Sequence, residues 1–346
     1  MASPIVHPIF EPVTGTWQYI IADPSTLAAA IIDPVLDFEP ARNTISTATA
    51  DSLLDIVVHN NYKVGYLLET HTHADHLSAS RYLQLKLAQS TNPKTGIGKR
   101  IVQAQTTFAQ KYGVEQSELE DVFDFLWEDD QTFRIGDLEA KVVHLPGHTP
   151  DHVGYLIGDN IFCGDSLFLP DVGSARCDFP GGDAVQLLVQ PFAPFLCCLC
   201  FCFFPLIKPF SRPFPVSFHC SFPVVPVVPH LLLPCWFPAR YHSVQTLFSL
   251  PPHHKIYTGH DYPSGDRSDP VPYTTVAEQQ ERNKHLKIGT TQQEFVNWRQ
   301  ERDSELGEPR LLHQSLQVNI RGGRLPRSGM LVLPLKGARE VGGVKL

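Results

Sequence analysis

Four residues in one short segment, His71-x-His73-x-Asp75-His76, have the types and the spacing of metal ligands. They directly follow an apolar run at residues 64–69 that has the length of a strand. Alternate residues of an extended or tightly turned segment point the same way, so His71 and His73 can face one point while Asp75 and His76 face a neighbouring one. Imidazole nitrogens and a carboxylate together suit a borderline metal ion. The alternative is a polar loop with solvated histidines.

Three further residues of ligand type follow predicted strands. His148 lies in Leu-Pro-Gly-His-Thr-Pro, Asp165 in Phe-Cys-Gly-Asp-Ser and His260 in Tyr-Thr-Gly-His-Asp-Tyr. Taken singly, they could be a solvated turn histidine, a helix cap and a surface histidine. Loops at strand ends of a rigid scaffold gather functional groups, however, so together the three favour one shared site with the histidine-rich segment.

Strands and helices must alternate around these residues. Thr275-x-x-Glu278 and Thr291-x-x-Glu294 are typical of capping boxes that open helices. His253-His254, after Pro251-Pro252, is predicted to be a solvated loop, and Gly96-x-Gly98 a plain turn. The remaining predicted elements are strands at 16–23, 64–69 and 100–105, a helix at 77–88, and hairpins at 133–145 and 153–163 with Gly-Asp turns.

Composition limits the classes of partner. The chain has 346 residues, with 36 acidic and 28 basic side chains and a net charge of −8, and it contains no basic run. This balance argues against nucleic acid as the main partner. Residues 1–8 lack the features of a secretory signal, so a cytoplasmic protein is the expectation. Thiols stay reduced in that compartment, and Cys163 and Cys177 are therefore predicted to be free and buried.

One segment differs sharply from the rest. Residues 184–239 carry only two charges, Lys208 and Arg212, but hold 11 of the 30 prolines and six of the eight cysteines. The prolines argue against a membrane span, and a lone Cys-x-x-Cys pair argues against a zinc ribbon. We predict that residues 184–240 are a disordered or non-native insertion, such as a translated retained intron. Residues 1–183 and 241–346 would then form a single domain.

The order of these motifs resembles the metallo-β-lactamase superfamily, whose fold is an α/β (α+β) αββα sandwich with metals at one edge of the sheets. HTHADH, LPGHTPDHVGY, GDSLF and residues 173–183 are most similar to its persulfide dioxygenase branch. The resemblance implies that one group of ligands lines a first metal position, a second group lines another, and Asp165 lies between them. The first group is His71, His73 and His148, and the second is Asp75, His76 and His260.

The resemblance implies a specific reaction. In persulfide dioxygenases two histidines and one aspartate hold a single Fe(II), and these match His71, His148 and Asp165. Glutathione persulfide, or another small thiol-derived substrate, and O₂ would be the partners, with sulfite and glutathione as products. His73, Asp75, His76 and His260 would then orient the ligands. Arg176 matches a basic position near the substrate, and its alternative is a surface ion pair with Asp178.

Two other functions stay open at this point. The same seven residues could hold two zinc or mixed metal ions in a hydrolase of glyoxalase II type, in which Asp75 helps to orient a nucleophilic hydroxide. The insertion could instead leave an inactive metal-binding scaffold. A membrane partner is not expected, a homo-oligomer is left open, and the family resemblance allows a mitochondrial location although no transit peptide is seen.

Overall fold

Two six-stranded sheets carry most of the β-structure in this computed structural model, which describes residues 3–188, 243–263, 267–327, 340–341 and 344–345. The first sheet has the strand order β1-β2-β3-β6-β8-β9, and the second has the order β10 to β15 without interruption. The strands of the first sheet are β1 (Ile5–Glu11), β2 (Thr16–Ala22), β3 (Ala28–Ile32), β6 (Lys63–Leu68), β8 (Lys94–Gly98) and β9 (Phe125–Trp127).

The second sheet joins two hairpins to a parallel pair. Strands β13 and β14 run parallel, with Asn160 opposite Lys255 and Phe162 opposite Tyr257. Both sequence-predicted hairpins are confirmed, with their Gly-Asp turns between β10 and β11 and between β12 and β13. The strands are β10 (Thr132–Ile135), β11 (Leu138–His144), β12 (Val153–Ile157), β13 (Asn160–Phe162), β14 (Lys255–Tyr257) and β15 (Tyr273–Thr275).

Apolar side chains from both sheets form a shared core. Tyr19 and Ile21 of β2 lie in one buried cluster with Tyr155 of β12 and Phe162 of β13. Tyr19 contacts Phe162 with ring centroids 5.1 Å apart. Alternate residues of a strand face opposite sides, so Ile20 and Ala22 point away from this core and into a separate cluster. The sheets are therefore packed face to face.

Helices cover the outer faces. Leu53 of α1 and Leu83 of α2 pack on the outer side of the first sheet, while Leu187 of α4 and Phe295 of α7 pack on the second. This arrangement confirms the predicted αββα sandwich. The helices are α1 (Ala48–His59), α2 (Ser80–Leu87), α3 (Ile101–Tyr112), α4 (Ala184–Leu188), α5 (Ser243–Phe248), α6 (Val276–Arg282), α7 (Gln292–Ser304) and α8 (Leu312–Asn319).

Short strands form two smaller sheets. Strand β4 (Val35–Glu39) lies between β5 (Thr44–Ser46) and β7 (Leu77–Ser78) in a three-stranded sheet. Strands β16 (Glu340–Val341) and β17 (Val344–Lys345) pair with each other. Among the described residues, no helix combines the length and the apolar character needed to cross a membrane.

The prediction of a strand at residues 100–105 was wrong, and so was that of a turn at Gly96-x-Gly98. The strand is β8, one segment earlier, and both glycines belong to it. A Cβ on Gly96 would lie 2.4 Å from the Trp127 indole nitrogen, so close packing explains that glycine. The segment that follows is helix α3, whose buried residues Ile101, Ala104, Phe108 and Tyr112 recur at helical spacing. A six-residue window was too short to reveal that period.

Both predicted capping boxes are confirmed. Thr275 opens α6 and Thr291 opens α7, and in each case the threonine hydroxyl and the glutamate three residues later satisfy each other's backbone N–H groups. Cys163 and Cys177 are free and buried, as predicted. Helix α4 occupies the first residues of the predicted insertion, and its Ala184 and Leu187 are buried in the core. The rest of that segment lies outside the described residues.

Candidate metal centre

All seven sequence-predicted ligands lie in loops that follow strands of the two large sheets. His71, Asp165 and His260 each follow the last residue of their strand, β6, β13 or β14, by three positions. His148 lies on the turn between β11 and β12. Backbone hydrogen bonds from Trp17 to the Gly259 carbonyl and from Asp261 to the Gly15 carbonyl fix the loop of His260 to the first sheet.

His71, His148 and Asp165 form one group of possible ligands, which we call the triad. One donor atom from each lies within 4.8 Å of the other two. The Asp165 Oδ2 atom is 3.9 Å from His71 Nε2 and 3.6 Å from His148 Nε2. All three residues are buried. Two imidazoles and one carboxylate around a single point are a donor set that Fe(II) accepts while keeping other positions open.

Hydrogen bonds fix which ring nitrogen each triad histidine turns to the centre. The Thr70 hydroxyl donates to Asp33 at 2.8 Å, so at 3.0 Å it accepts the N–H of His71 Nδ1. His148 Nδ1 donates to the Arg176 carbonyl oxygen at 2.7 Å. In both rings Nε2 therefore keeps its lone pair and faces the centre. Such outer contacts orient ligands and set their tautomer.

Buried atoms at the centre lack protein partners. Among the described residues, His71 Nε2, His73 Nδ1, His76 Nε2 and Asp165 Oδ1 have no hydrogen-bond partner. Leaving a buried polar atom unsatisfied costs about 1–3 kcal/mol. Four such atoms in one place are expected where a metal ion supplies the missing interactions, so the residues present fit a metal.

Three of the predicted ligands form a second group beside the triad. His73, Asp75 and His76 also bring one donor atom each within 4.8 Å of the others. His73 turns Nε2 away, to Asp33 Oδ1 at 3.0 Å and Glu69 Oε2 at 3.5 Å. The Asp75 carboxylate lies 3.0 Å from His76 Nδ1.

His260 links the two groups. Its Nε2 is 3.2 Å from Asp75 Oδ2 and 3.6 Å from Asp165 Oδ2, and its Nδ1 donates to the Gly15 carbonyl oxygen at 3.2 Å. Burial lowers the pKa of His260, but the carboxylates of Asp165 and Asp75 outweigh that effect and raise it to about 9. The two carboxylates therefore favour the protonated form of this ring.

The other imidazoles respond to burial and to their neighbours in opposite ways. Burial, reinforced by nearby His73, His152 and His148, holds the pKa of His71 well below its usual value, which leaves the ring neutral and able to donate its lone pair. Burial acts in the same direction on His73, but Asp33 and Glu69 outweigh it and raise the pKa of that ring well above its usual value.

Asp165 is held in a narrow space. A Cβ on Gly259 would lie 2.3 Å from Asp165 Oδ1, so any larger residue there would displace the carboxylate. The Asp165 backbone N–H donates to His152 Nε2 at 3.0 Å. The His152 ring also stacks on His71, with centroids 4.6 Å apart and planes 15° from parallel. His152 thus positions two members of the triad.

Sequence reasoning missed Asp33, Glu69 and His152. Asp33 immediately follows β3 and Glu69 immediately follows β6. Their positions at strand ends were the available signal, but neither lies in a spaced motif. His152 stood inside the Leu-Pro-Gly-His-Thr-Pro-Asp-His-Val segment, where only His148 was singled out.

A cavity of about 520 Å³ opens onto two of the three triad residues. His148, Asp165 and His260 form part of its wall, with Phe168 and Trp298 as apolar surfaces. Its basic lining residues are Arg176, Lys284, Arg299, Arg302 and Arg310.

Arg176 both lines this cavity and forms an ion pair. Its Nε donates to Asp178 Oδ1 at 2.6 Å, and the guanidinium also donates to the Gly307 carbonyl at 2.9 Å. The pKa of Arg176 is raised by the Asp178 hydrogen bond. Contact with substrate stays a prediction for this residue, while its backbone carbonyl holds His148.

Comparison with known proteins gives a family match. The sequence profile of the metallo-beta-lactamase superfamily matches residues 12–193. A beta-lactamase hydrolase-like protein of Agrobacterium fabrum is 36% identical over 326 residues, which are 94% of this chain and 62% of the relative. Glyoxylase B2 of Dictyostelium discoideum is 37% identical over 324 residues, 93% of this chain and 91% of the relative. This chain thus spans less than two thirds of the first relative and nearly all of the second.

More distant relatives include two named enzymes. The human mitochondrial persulfide dioxygenase ETHE1 is 29% identical over 185 residues, 53% of this chain and 59% of that protein. Hydroxyacylglutathione hydrolase of Methylococcus capsulatus is 28% identical over 163 residues, 46% of this chain and 50% of that protein. The crystal structure of ETHE1 from Myxococcus xanthus shares the fold, with a TM-score of 0.61 at 23% identity, covering 92% of this chain and all of that one.

Proposed function

Because the chain belongs to the metallo-β-lactamase superfamily, we propose that it is an iron-dependent persulfide dioxygenase. Glutathione persulfide, O₂ and one water molecule would give glutathione, sulfite and two protons. The S–S bond breaks, the terminal sulfur is oxidised, and O₂ is the oxidant that is reduced. A bound Fe(II) would supply the redox chemistry and a site for O₂.

The triad is the observation that carries this proposal. His71, His148 and Asp165 are buried, and their donor atoms lie within 4.8 Å of one another. Fixed hydrogen bonds at both Nδ1 atoms leave both Nε2 lone pairs free. Two histidines and one carboxylate leave open positions for two further molecules on one ion. Similarity to the human persulfide dioxygenase supports the same conclusion.

The cavity supports a small thiol-derived substrate. Glutathione carries two carboxylates, and Lys284, Arg302 and Arg310 place positive charge along the wall. A guanidinium binds a carboxylate through paired hydrogen bonds, so these residues would orient the tripeptide with its sulfur toward the triad. Phe168 and Trp298 would limit the access of water along the apolar wall.

A thioester hydrolase with two metal ions is the second candidate. It is favoured by the group of His73, Asp75 and His76, and by the unpartnered buried atoms His73 Nδ1 and His76 Nε2. Similarity to hydroxyacylglutathione hydrolase points in the same direction. In that reaction Asp75 would orient a hydroxide for attack on the thioester carbonyl. An inactive scaffold is the third candidate.

A metal count combined with an oxygen electrode tests the proposal. Protein purified without added metal and reconstituted anaerobically with Fe(II) should hold one iron per chain. It should consume O₂ on addition of glutathione persulfide and release sulfite. His148→Ala should lose both the iron and the O₂ uptake, while His59→Ala, at an exposed histidine of α1, should behave as the parent does.

Two results would contradict the proposal. Two metal ions per chain, with hydrolysis of an acyl-glutathione thioester and no O₂ uptake, would establish the hydrolase instead. Folded protein that is inert in both assays would favour the scaffold.

A further inference from the structure

The parallel strands β13 and β14 carry ligand-type residues at both of their ends. Asp165 and His260 follow the carboxyl ends of these strands and belong to the buried centre, the site formed by the seven sequence-predicted ligands. Asp159 and His254 immediately precede the amino ends, and His253 adjoins them. The register, with Asn160 opposite Lys255, brings the two amino ends side by side.

We propose that Asp159, His253 and His254 form a metal site separate from the buried centre. It binds one divalent ion of the zinc class from solvent. We call these three residues the outer cluster. One donor atom of each residue lies within 4.8 Å of the others. Asp159 Oδ2 is 3.9 Å from His253 Nε2, and Asp159 Oδ1 is 3.9 Å from His254 Nε2. Two imidazoles and one carboxylate form a common ligand set for zinc.

The separations are close to those that coordination requires. With metal–ligand distances of about 2.0–2.1 Å, two tetrahedral ligands stand roughly 3.3 Å apart. Asp159 approaches the two histidines with different oxygens, each 3.9 Å from its histidine, which exceeds this separation by about 0.6 Å. His253 and Asp159 each have side chains 68% exposed, so small χ rotations can close that gap without disturbing the core.

The backbone that carries these residues is fixed. The Lys255 N–H donates to the Asp159 carbonyl at 2.9 Å, which ties the turn between β12 and β13 to the start of β14. The His254 N–H donates to the Pro251 carbonyl at 2.9 Å, and the His254 carbonyl accepts from Val276 at the start of α6 at 3.0 Å. Ligands on a fixed backbone lose little conformational entropy when the ion binds.

Solvent can reach the site, and the ring of His254 favours the form that binds a metal. His254 is largely buried beneath its exposed partners, and burial lowers the pKa of its ring, which favours the neutral, metal-binding form. A cavity of about 420 Å³ adjoins Asp159 and His253 and leaves room for the water molecules that would complete the coordination. A bound ion would join the β12–β13 turn to the loop before β14 and so stabilise the folded state.

Calorimetric titration of the iron-loaded protein with Zn²⁺ tests this site. The parent protein should bind one more zinc ion per chain than the variant His253→Ala/His254→Ala, and its melting temperature should rise with zinc while that of the variant stays constant. Asp159→Asn keeps the shape and removes the charge, so it should weaken zinc binding by at least tenfold, since even the loss of an outer-sphere partner costs about 10–100-fold. His59→Ala is the control and should bind zinc as the parent does.

A second set of variants separates this site from the buried centre. His71→Ala/His148→Ala should keep the zinc ion of the outer cluster while losing iron. Equal zinc stoichiometry in the parent and in a correctly folded His253→Ala/His254→Ala variant would overturn the proposal, and so would unchanged affinity in Asp159→Asn.

Discussion

The buried centre and the outer cluster use the same residue types, and Asp165 and His260 of the first lie at the opposite ends of β13 and β14 from the second, but the two differ in how the ligands are held. In the triad, both histidines have Nδ1 bonded to a fixed acceptor, the Thr70 hydroxyl or the Arg176 carbonyl. Within the part of the chain that the structure describes, His254 Nδ1 is buried without a partner.

A site whose histidines are held by hydrogen bonds should be more selective for its metal than a site whose histidines are not. Outer contacts such as those of Asp33 and Thr70 determine ring orientation and tautomer, and hence which metal is held and how its open positions face the cavity. The outer cluster has a fixed backbone, but two of its three side chains, those of Asp159 and His253, are 68% exposed, so it should bind and release ions readily. We therefore expect catalysis to depend on the first region and to be insensitive to the second.

Removal of the triad carboxylate should have the largest effect. Asp165→Ala should lower the rate of O₂ uptake by more than two orders of magnitude and release the iron, because outer contacts alone are worth about 10–100-fold. Initial rates and iron content measure this effect. Asp159→Ala, which removes the carboxylate of the outer cluster, is the matched control and should retain both. If Asp165→Ala kept its iron and its rate of O₂ uptake, catalysis would not depend on the buried centre as we expect.

Removal of one hydrogen bond that orients a triad histidine should have the next largest effect. Thr70→Val keeps the shape of the side chain but removes the hydroxyl that accepts from His71 Nδ1 and donates to Asp33. Affinity for iron should fall by about 10–100-fold, since the His71 ring loses the bond that fixes its tautomer. Competition with a chelator of known affinity measures it. Unchanged affinity would mean that packing alone orients the ring.

The sequence identified candidate ligands better than the residues that surround them. His71, Asp165 and His260 were singled out because each stands in a short motif just past an apolar run, and strand ends are where such residues gather. Asp33 was missed because its partners, Thr70 and His73, are 37 and 40 positions away in the chain. Spacing rules describe neighbours in sequence, whereas these contacts exist only after β3 and β6 have paired.

Patterns between neighbouring residues also decided which helices, strands and turns could be predicted, and why the outer cluster was missed. The hairpins and capping boxes were predictable because a turn or a cap is complete within a few residues. His253-His254 looked like a solvated loop, since nothing near it in sequence offers a carboxylate at ligand spacing. Only the parallel pairing of β13 with β14 brings Asp159 to it.

The smallest effect should come from the outer cluster in the absence of metal. With chelator present, Asp159→Ala should change the free energy of unfolding by no more than about 0.5 kcal/mol, because its side chain is 68% exposed and its separations from both histidines are 3.9 Å. Added Zn²⁺ should then stabilise the parent and leave the variant unchanged, since only the parent has a folded-state site for the ion. Urea unfolding with and without zinc measures both quantities. A decrease of more than about 1 kcal/mol in the free energy of unfolding in chelator would mean that Asp159 stabilises the fold without metal. The side chains of the outer cluster would then be held in place, as those of the buried centre are.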